Sequence, residues 1–591
     1  MQQVKFKKAF QLIVPILFLS MLLFTACEKE VEKIVTKTVH DTTVVVLNDT
    51  TLITIHDTLV VQIISVDTIF ANPDSISQGG SIQLTAQVST LPIAGEDLMF
   101  FWDAEAGTFN TDRGDTVIWK APDEAGVYKV SVHVTDGEYI AIGKRNIGVG
   151  VYAASITPYY VGGDGCVCHS GKQAEWANTA HAHAWESLQN SGHAASYCNP
   201  CHTVGYEGDF GNSGYDEAPI TKFVNVQCEN CHGPGSDHIS GPSSANITVS
   251  YNVENCGKCH NGEHHPYQEE WEQSPHNFDP YTSAHGAATR GSCGGCHEGV
   301  AAAYRLSGDL STFYGGGAVA DRPDTTIVPI APVVCSTCHD PHSDANPGQL
   351  RTVDDVVLVT ANNESPVITV GGTGKLCMQC HHARRAPETQ VANGYAHFGP
   401  HANPQADMMA GKSAYHAVAD PSFVWAGPSH LNVQNSCKTC HLPTQEYAPG
   451  SPAVTGHKFE PTVEACANCH GAITSFDDIM ATDDYDGDGT VEGVQSEVHG
   501  LVQLLQDALI ASGLDTTGVG FAGALGDTTL STVKQREAGY NMIFIEDDKS
   551  WGIHNPDYAI QLLQQSYQYL TGTPVPNAKI ARQDDEVVSP F

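Results

Sequence analysis

The chain has 591 residues, room for about four ordinary domains, and sets 29 lysines and arginines against 67 aspartates and glutamates, a formal charge of −38. That balance excludes nucleic acid as a partner, because affinity for it comes from neutralising phosphates with basic side chains, and it excludes electrostatic docking on an anionic membrane. Charged residues are only 16% and hydrophobic ones 41%, which excludes charge-driven disorder, while 19 cysteines and 29 histidines are the counts that carry chemistry.

Lys5, Lys7 and Lys8 precede an apolar run from Ala9 to Phe24, which leads into Phe24-Thr25-Ala26-Cys27. A cleaved secretory signal or a single membrane span accounts for the charge and the apolar run. Small residues directly before a cysteine resemble a bacterial lipoprotein signal, which predicts removal of residues 1–26 and a lipidated Cys27. Several acyl chains give lasting membrane attachment. The expected location is the outer membrane or cell surface of a bacterium, reached by export.

Residues 27–64 are rich in threonine and valine and read as a stalk. Residues 65–152 read as an all-β immunoglobulin-like sandwich. In Ser81–Val88, alternation puts Ile82, Leu84, Ala86 and Val88 on one face, and Val127–Val134 repeats the pattern before the Asp136-Gly137 turn. Trp102 and Trp119 would supply bulk to its core. The segment resembles bacterial immunoglobulin-like or PKD-type modules and is expected to be a spacer rather than an adhesin.

Every cysteine beyond Tyr152 falls in one pattern. C-x-x-C-H occurs at Cys198, Cys201 and His202, at Cys228, Cys231 and His232, at Cys256, Cys259 and His260, and at Cys293, Cys296 and His297. It returns at Cys335, Cys338 and His339, at Cys377, Cys380 and His381, at Cys437, Cys440 and His441, and at Cys466, Cys469 and His470. Two thiols three positions apart reach the two vinyl groups of one haem, and the adjacent histidine binds its iron, so the pattern is the c-type haem attachment signature. Structural zinc and redox disulfides use paired cysteines too, but neither requires a histidine after every second cysteine. Cys166-Val167-Cys168-His169 is one residue short. The sequence predicts a ninth haem there, held through Cys168, against the alternative of a lost site.

Nine motif histidines leave an ample supply for the opposite iron face. The expected distal ligands are His183, His238, His276, His342 and His401, then His430, His457, His499 and His554, with His181, His193 and His285 as close substitutes. Met408-Met409 is read as packing. Iron held by two histidines has no vacant position, so it passes electrons more readily than it activates a small molecule. That ligation in an acidic protein predicts low potentials.

Tyr160-Val161-Gly162, Cys228 to Gly235, Cys335 to His342 and Gly552-Ile553-His554-Asn555-Pro556 resemble the multihaem cytochrome c superfamily that includes hydroxylamine oxidoreductase and the cytochrome c nitrite reductases. The resemblance covers about three quarters of the chain. It implies a mainly α and loop domain around a haem array, with His342 and His554 as distal ligands. No C-x-x-C-K motif, the catalytic attachment of many of those reductases, occurs here.

Asp484, Asp486, Asp488 and Thr490 space oxygen ligands as a calcium-binding EF-hand loop does. Gln495 replaces the bidentate glutamate, leaving Glu492 or Glu497 to compensate; an acidic solvated linker is the alternative. Val494–Ala511 and Asp557–Leu570 read as helices covering the last haems, the second headed by Asn555-Pro556. The expected layout is therefore a multihaem domain over 153–475 and a calcium-loop and helical part over 476–591.

The function expected is an electron relay at the cell envelope, from redox partner proteins to an extracellular acceptor, by a carrier rather than a catalyst. An oxidoreductase acting on a small nitrogen or sulfur compound (nitrite, hydroxylamine or tetrathionate type) at one open haem is the alternative. A homo-oligomer or filament with continuous haem arrays is a third.

Overall fold

The structure is a computed structural model. It describes residues 43–47, 50–54, 63–72, 76–91, 98–149 without 125 and 137–139, 158–163, 168–206, 212–216, 221–308, 319, 322–583 without 327, and 585, 587 and 588. The signal segment, Cys27 and Cys166 lie outside these residues. No helix among the described residues is long and apolar enough to cross a membrane.

Two compact units are present: residues 1–167 with 184–248, and residues 168–183 with 249–591. In the first, the stretch read as stalk contains an antiparallel hairpin of β1 (Thr43–Leu47) and β2 (Thr50–Thr54). Seven further strands form two sheets. β3 (Ile63–Asn72), β4 (Ser81–Leu91), β6 (Thr108–Phe109) and β7 (Thr116–Lys120) make one, in the order β3-β4-β7-β6. β5 (Met99–Ala104), β8 (Gly126–Thr135) and β9 (Ile140–Val149) make the other, in the order β5-β8-β9.

The alternation read from Ile82 and Val130 onward aims both inner faces at one core. Ile82, Leu84, Val117 and Trp119 meet Trp102, Val130, Val132 and Val134 there. Each indole N–H finds a carbonyl: Trp102 Nε1 donates to Gly114 and Trp119 Nε1 to Ala106.

Past Pro158 the fold changes to short helices joined by loops. Apolar clusters here are small; Tyr160, Val204 and Phe223 form one, and Val253, Trp271 and Val334 another. Buried carboxylates organise the loops instead. Glu229, 3% exposed, accepts N–H bonds from Val161, Gly162 and Gly235. In the second unit Glu298 accepts from Val300, Ala301 and Ala331 and pairs with Arg322 at 3.0 Å. It also caps α1 (Gly299–Ser307).

Four helices close the chain around its largest apolar core: α2 (Val494–Ala511), α3 (Gly520–Gly526), α4 (Val533–Asp548) and α5 (Pro556–Thr571). The bounds of α2 are those expected, and Asn555 caps α5 by accepting from Tyr558 N. The periodicity reading missed α4. It buries Gln535, Arg536 and Asn541 together with Tyr540, Met542 and Phe544, so it carries no one-sided apolar stripe.

Candidate haem sites

Each C-x-x-C-H motif meets a short helical turn, complete in Cys228–His232, Gly291–His297, Cys437–His441 and Val463–His470. A helix brings positions three apart onto one face, so the turn aligns both sulfurs. It also closes at the histidine: the N–H groups of His260, His339 and His381 donate to the carbonyls of Cys256, Cys335 and Cys377. None of the described motif cysteines is fully buried, although cysteine is among the residue types most often so. Half-buried thiols and small apolar clusters both fit a planar apolar group lying against them.

The second cysteines of the eight regular motifs differ in exposure at one position. Cys201, Cys231 and Cys259 are half-buried, whereas Cys469 is exposed, on a helix, Val463–His470, that buries none of its residues. Cys231 sits inside its helix, and Cys201 inside the shorter turn Asn199–His202, which Pro200 opens after Cys198. Cys259 lies just past the helix Val253–Gly257 and is held by its N–H on Cys256 O at 3.1 Å.

The contracted motif is built differently again. His169 stands just ahead of the helix Ser170–Trp176 rather than ending a turn, and Cys168 is exposed.

The histidine rings give a sharper test of fit. A metal–imidazole bond is about 2 Å and the ring centre lies roughly 1 Å behind its nitrogen, so two imidazoles across one ion have centres about 6 Å apart. Six motif histidines face a second histidine at that spacing. The pairs are His260 with His181 (6.1 Å), His297 with His401 (6.0 Å) and His339 with His457 (6.5 Å). The others are His381 with His276 (6.3 Å), His441 with His554 (6.2 Å) and His470 with His430 (5.9 Å). His264 and His265 have a similar separation, but they are chain neighbours and neither is a motif histidine.

Tautomers agree with the spacing. Nδ1 of His339 donates to Gly348 O, Nδ1 of His441 to Phe459 O, Nδ1 of His430 to Ile553 O and Nδ1 of His457 to Thr455 O, at 2.6 to 3.0 Å. In the first unit His202 and His232 do the same toward Ala184 O and Thr248 O. A proton fixed on Nδ1 leaves the Nε2 lone pair for metal. Burial also keeps the rings neutral, as ligation requires: His276 is lowered to about 4 by burial and then by His381, and His260 to about 4 by burial and its neighbouring histidines.

Second contacts orient the distal rings. Buried Glu270 accepts from His457 N and from Thr455 N and Oγ1. His554 Nδ1 meets the Asp548 carboxylate at 2.7 Å, with Asp548 1% exposed. Burial alone would lower His554, but the Asp548 charge and hydrogen bond override it and raise its pKa.

Of the distal ligands expected, His276, His401, His430, His457 and His554 are brought to motif histidines, and the substitute His181 faces His260. Its neighbour His183 is instead exposed and turns Nε2, the nitrogen a haem would need, to Ala177 O at 3.1 Å. His499 is also placed elsewhere, exposed and stacked on Trp551 at 3.9 Å. His238 and His342 hold Nδ1 on Ser243 O and the Asp340 carboxylate. Met408 and Met409 are buried in apolar clusters.

Thiols of different motifs lie within electrostatic reach of one another: Cys335 of Cys256, Cys377 of Cys437, Cys380 of Cys296, and Cys440 of Cys466 and Cys469. Tyr267 touches the rings of both His260 and His457, and Phe459 those of His457 and His276.

The acidic loop gathers one oxygen each from Asp484, Asp486 and Glu497 within 4.8 Å. Glu497 comes from the first turn of α2, so the missing glutamate arrives from beyond the twelve-residue frame; Gln495 donates to Ser550 O instead. Asp488, expected as a ligand, is exposed and is not one of this group, and Thr490, also expected, is exposed. Burial, and then the surrounding carboxylates, push Asp486 up to about 6. At Gly500 a side chain would strike the Asp486 carboxylate.

Covalent attachment turns and facing histidines together define a multihaem c-type cytochrome. The chain belongs to the cytochrome c552 family, whose model matches residues 264–584, just over half of its length. Residues 166–233 match the family of cytochrome c554 and c-prime. No curated protein matches the chain. It is similar to the crystal structure of the outer cell wall cytochrome OcwA, at 17% identity, TM-score 0.44, over 70% of this chain and 100% of that one. It is also similar to the undecahaem cytochrome from the S-layer of Carboxydothermus ferrireducens, at 17% identity, TM-score 0.42, over 70% of each chain.

Proposed function

We propose that this protein is an electron relay of the cell envelope whose haems are mostly six-coordinate. The observation that carries this reading is the set of six histidine pairs, each set to occupy both faces of one iron. Bound haem would supply a reversible one-electron couple. The protein holds it through two cysteines and two imidazoles and leaves no coordination position for substrate. Cys201, Cys231, Cys259 and Cys469 would carry the second thioether of their haems, on the strength of the motif that contains each. His169, His202 and His232 would bind the remaining irons, with His238 and His342 as candidate second ligands.

The thiol and aromatic contacts support a sequence of sites running from His260 through His339, His381 and His441 to His470, with the His297 site joining at His381. These thiols stand in for thioether sulfurs, so haems held on neighbouring motifs would lie close together. Short edge-to-edge gaps favour transfer between them.

Calcium at Asp484, Asp486 and Glu497 would brace the loop against α2, a structural role. The strand order β3-β4-β7-β6 against β5-β8-β9 matches the two sheets of a seven-stranded immunoglobulin domain, supporting a spacer module. With a lipid on Cys27, that module would hold the haem region away from the outer membrane, toward redox partners or an extracellular acceptor.

An electron paramagnetic resonance spectrum of the oxidised protein tests the relay. A spectrum dominated by low-spin signals is expected. A high-spin ferric signal together with turnover of nitrite or hydroxylamine would replace this reading with the oxidoreductase one.

A further inference from the structure

An aspartate followed directly by threonine or serine occurs nine times in the chain, from Asp41-Thr42-Thr43 to Asp527-Thr528-Thr529. In all nine the third residue is threonine, valine, isoleucine or leucine, each a branched side chain that carries a methyl group. Composition alone would not put one of four residue types behind every one of them.

Three of these tripeptides lie on described loops of the second unit and take one conformation. Thr326 N and Oγ1 donate to Asp324 Oδ1 at 2.8 and 2.7 Å, and Thr529 N and Oγ1 to Asp527 Oδ1 at 2.7 and 2.6 Å. Thr517 N donates to Asp515 Oδ1 at 2.9 Å. Such a turn uses the aspartate and the third residue only. Asp420-Pro421-Ser422 closes the same way with proline in the middle, so the turn does not require a threonine there. The middle residues are nonetheless Thr325, Thr516 and Thr528. Thr325 and Thr528 are exposed and Thr516 is half-buried, and none of the three hydroxyls bonds to a described residue. Each turn therefore holds a spare hydroxyl at the surface, flanked by a carboxylate and a methyl group.

We propose that Thr325, Thr516 and Thr528 are O-glycosylated, the tripeptide being the acceptor that a glycosyltransferase of the export route recognises. In the transfer, threonine Oγ1 attacks the anomeric carbon of an activated glycosyl phosphate. A carbon–oxygen bond to threonine forms as the bond to the phosphate oxygen breaks, the phosphate leaves, and the hydroxyl proton passes to a base of the transferase. A neutral sugar suits these positions better than a phosphoryl group. Bonds from the third threonine hold the carboxyls of Asp324, Asp515 and Asp527 below their ordinary range, and a phosphate would set a second anion beside each. Sugars there would add bulk and solubility to the loop before the Cys335 motif and to both ends of α3.

The test is peptide mapping by mass spectrometry, with fragmentation that preserves glycosidic bonds, on the full haem-loaded chain purified from its native cells. Expected are sugar increments on Thr325, Thr516 and Thr528 and none on Thr326, Thr517, Thr529 or Ser422. Thr516→Val should lose one increment, and Asp515→Ala should lose the same one although its threonine remains, with haem content unchanged in both. All three threonines bare, phosphate in place of sugar, or full occupancy of Thr516 in Asp515→Ala would overturn the proposal. Should the variants not accumulate, the unaltered chain decides through the same peptides. Bare threonines would leave the haem spectrum as it is, so failure here is separate from failure of the relay reading, which a missing haem spectrum would mark.

Discussion

Replacing Asp548 by asparagine isolates the electrostatics of one site. The carboxylate accepts from His554 Nδ1 at 2.7 Å in a buried setting, and it is expected to give that imidazole partial anionic character. Asparagine keeps an acceptor oxygen and the shape but removes the charge. Hydrogen bonds to charged groups contribute about 1.5–3 kcal/mol against about 0.5–1.5 for neutral ones, so the charge accounts for roughly 1 kcal/mol. If that difference falls on the ferric state, it corresponds to roughly 40 mV, since about 1.4 kcal/mol and about 59 mV each mark one decade for one electron. The potential of the His441–His554 haem should therefore rise by about 40 mV or more in Asp548→Asn, with the others fixed, in a spectroelectrochemical titration. A potential that stays put, or falls, would refute the reasoning.

Other consequences can be checked separately. His276→Gly removes the ring facing His381 and should convert one low-spin ferric signal to high-spin. Calcium should raise the melting temperature of the protein and lose that effect in Glu497→Gln, read by calorimetry with and without chelator. Asp486 and Asp407 both have folded pKa values raised to about 6, so each binds its proton more tightly folded than unfolded. The stability they lend is complete below their unfolded pKa of about 4 and is lost as pH rises to about 6. Melting temperature of the calcium-free protein should fall across that window, and calcium should recover the Asp486 share. Glu270→Gln weakens the support of the loop carrying His457 and should broaden the signal of the His339 haem.

The attachment sites were legible because C-x-x-C-H is complete within five residues, and one helical turn converts that spacing into geometry. Their differing exposure was not, since nothing within the motif separates exposed Cys469 from half-buried Cys231. The distal ligands were only partly legible. His276 meets His381 and His181 meets His260 across long stretches of chain, and nothing local distinguishes them from His183, two positions from His181, or His499, which found a tryptophan instead. The sandwich followed from strict alternation through Ile82 and Val130. α4 did not show because it is buried on nearly all sides, and of the two carboxylates read as compensating for Gln495 it is Glu497, delivered by α2, that joins the group.

Intact mass of the purified, matured protein tests the central claim most directly. The account predicts eight porphyrin additions on the regular motifs and a ninth on Cys168, all surviving denaturation. A mass equal to the polypeptide alone, from a colourless sample, would contradict it.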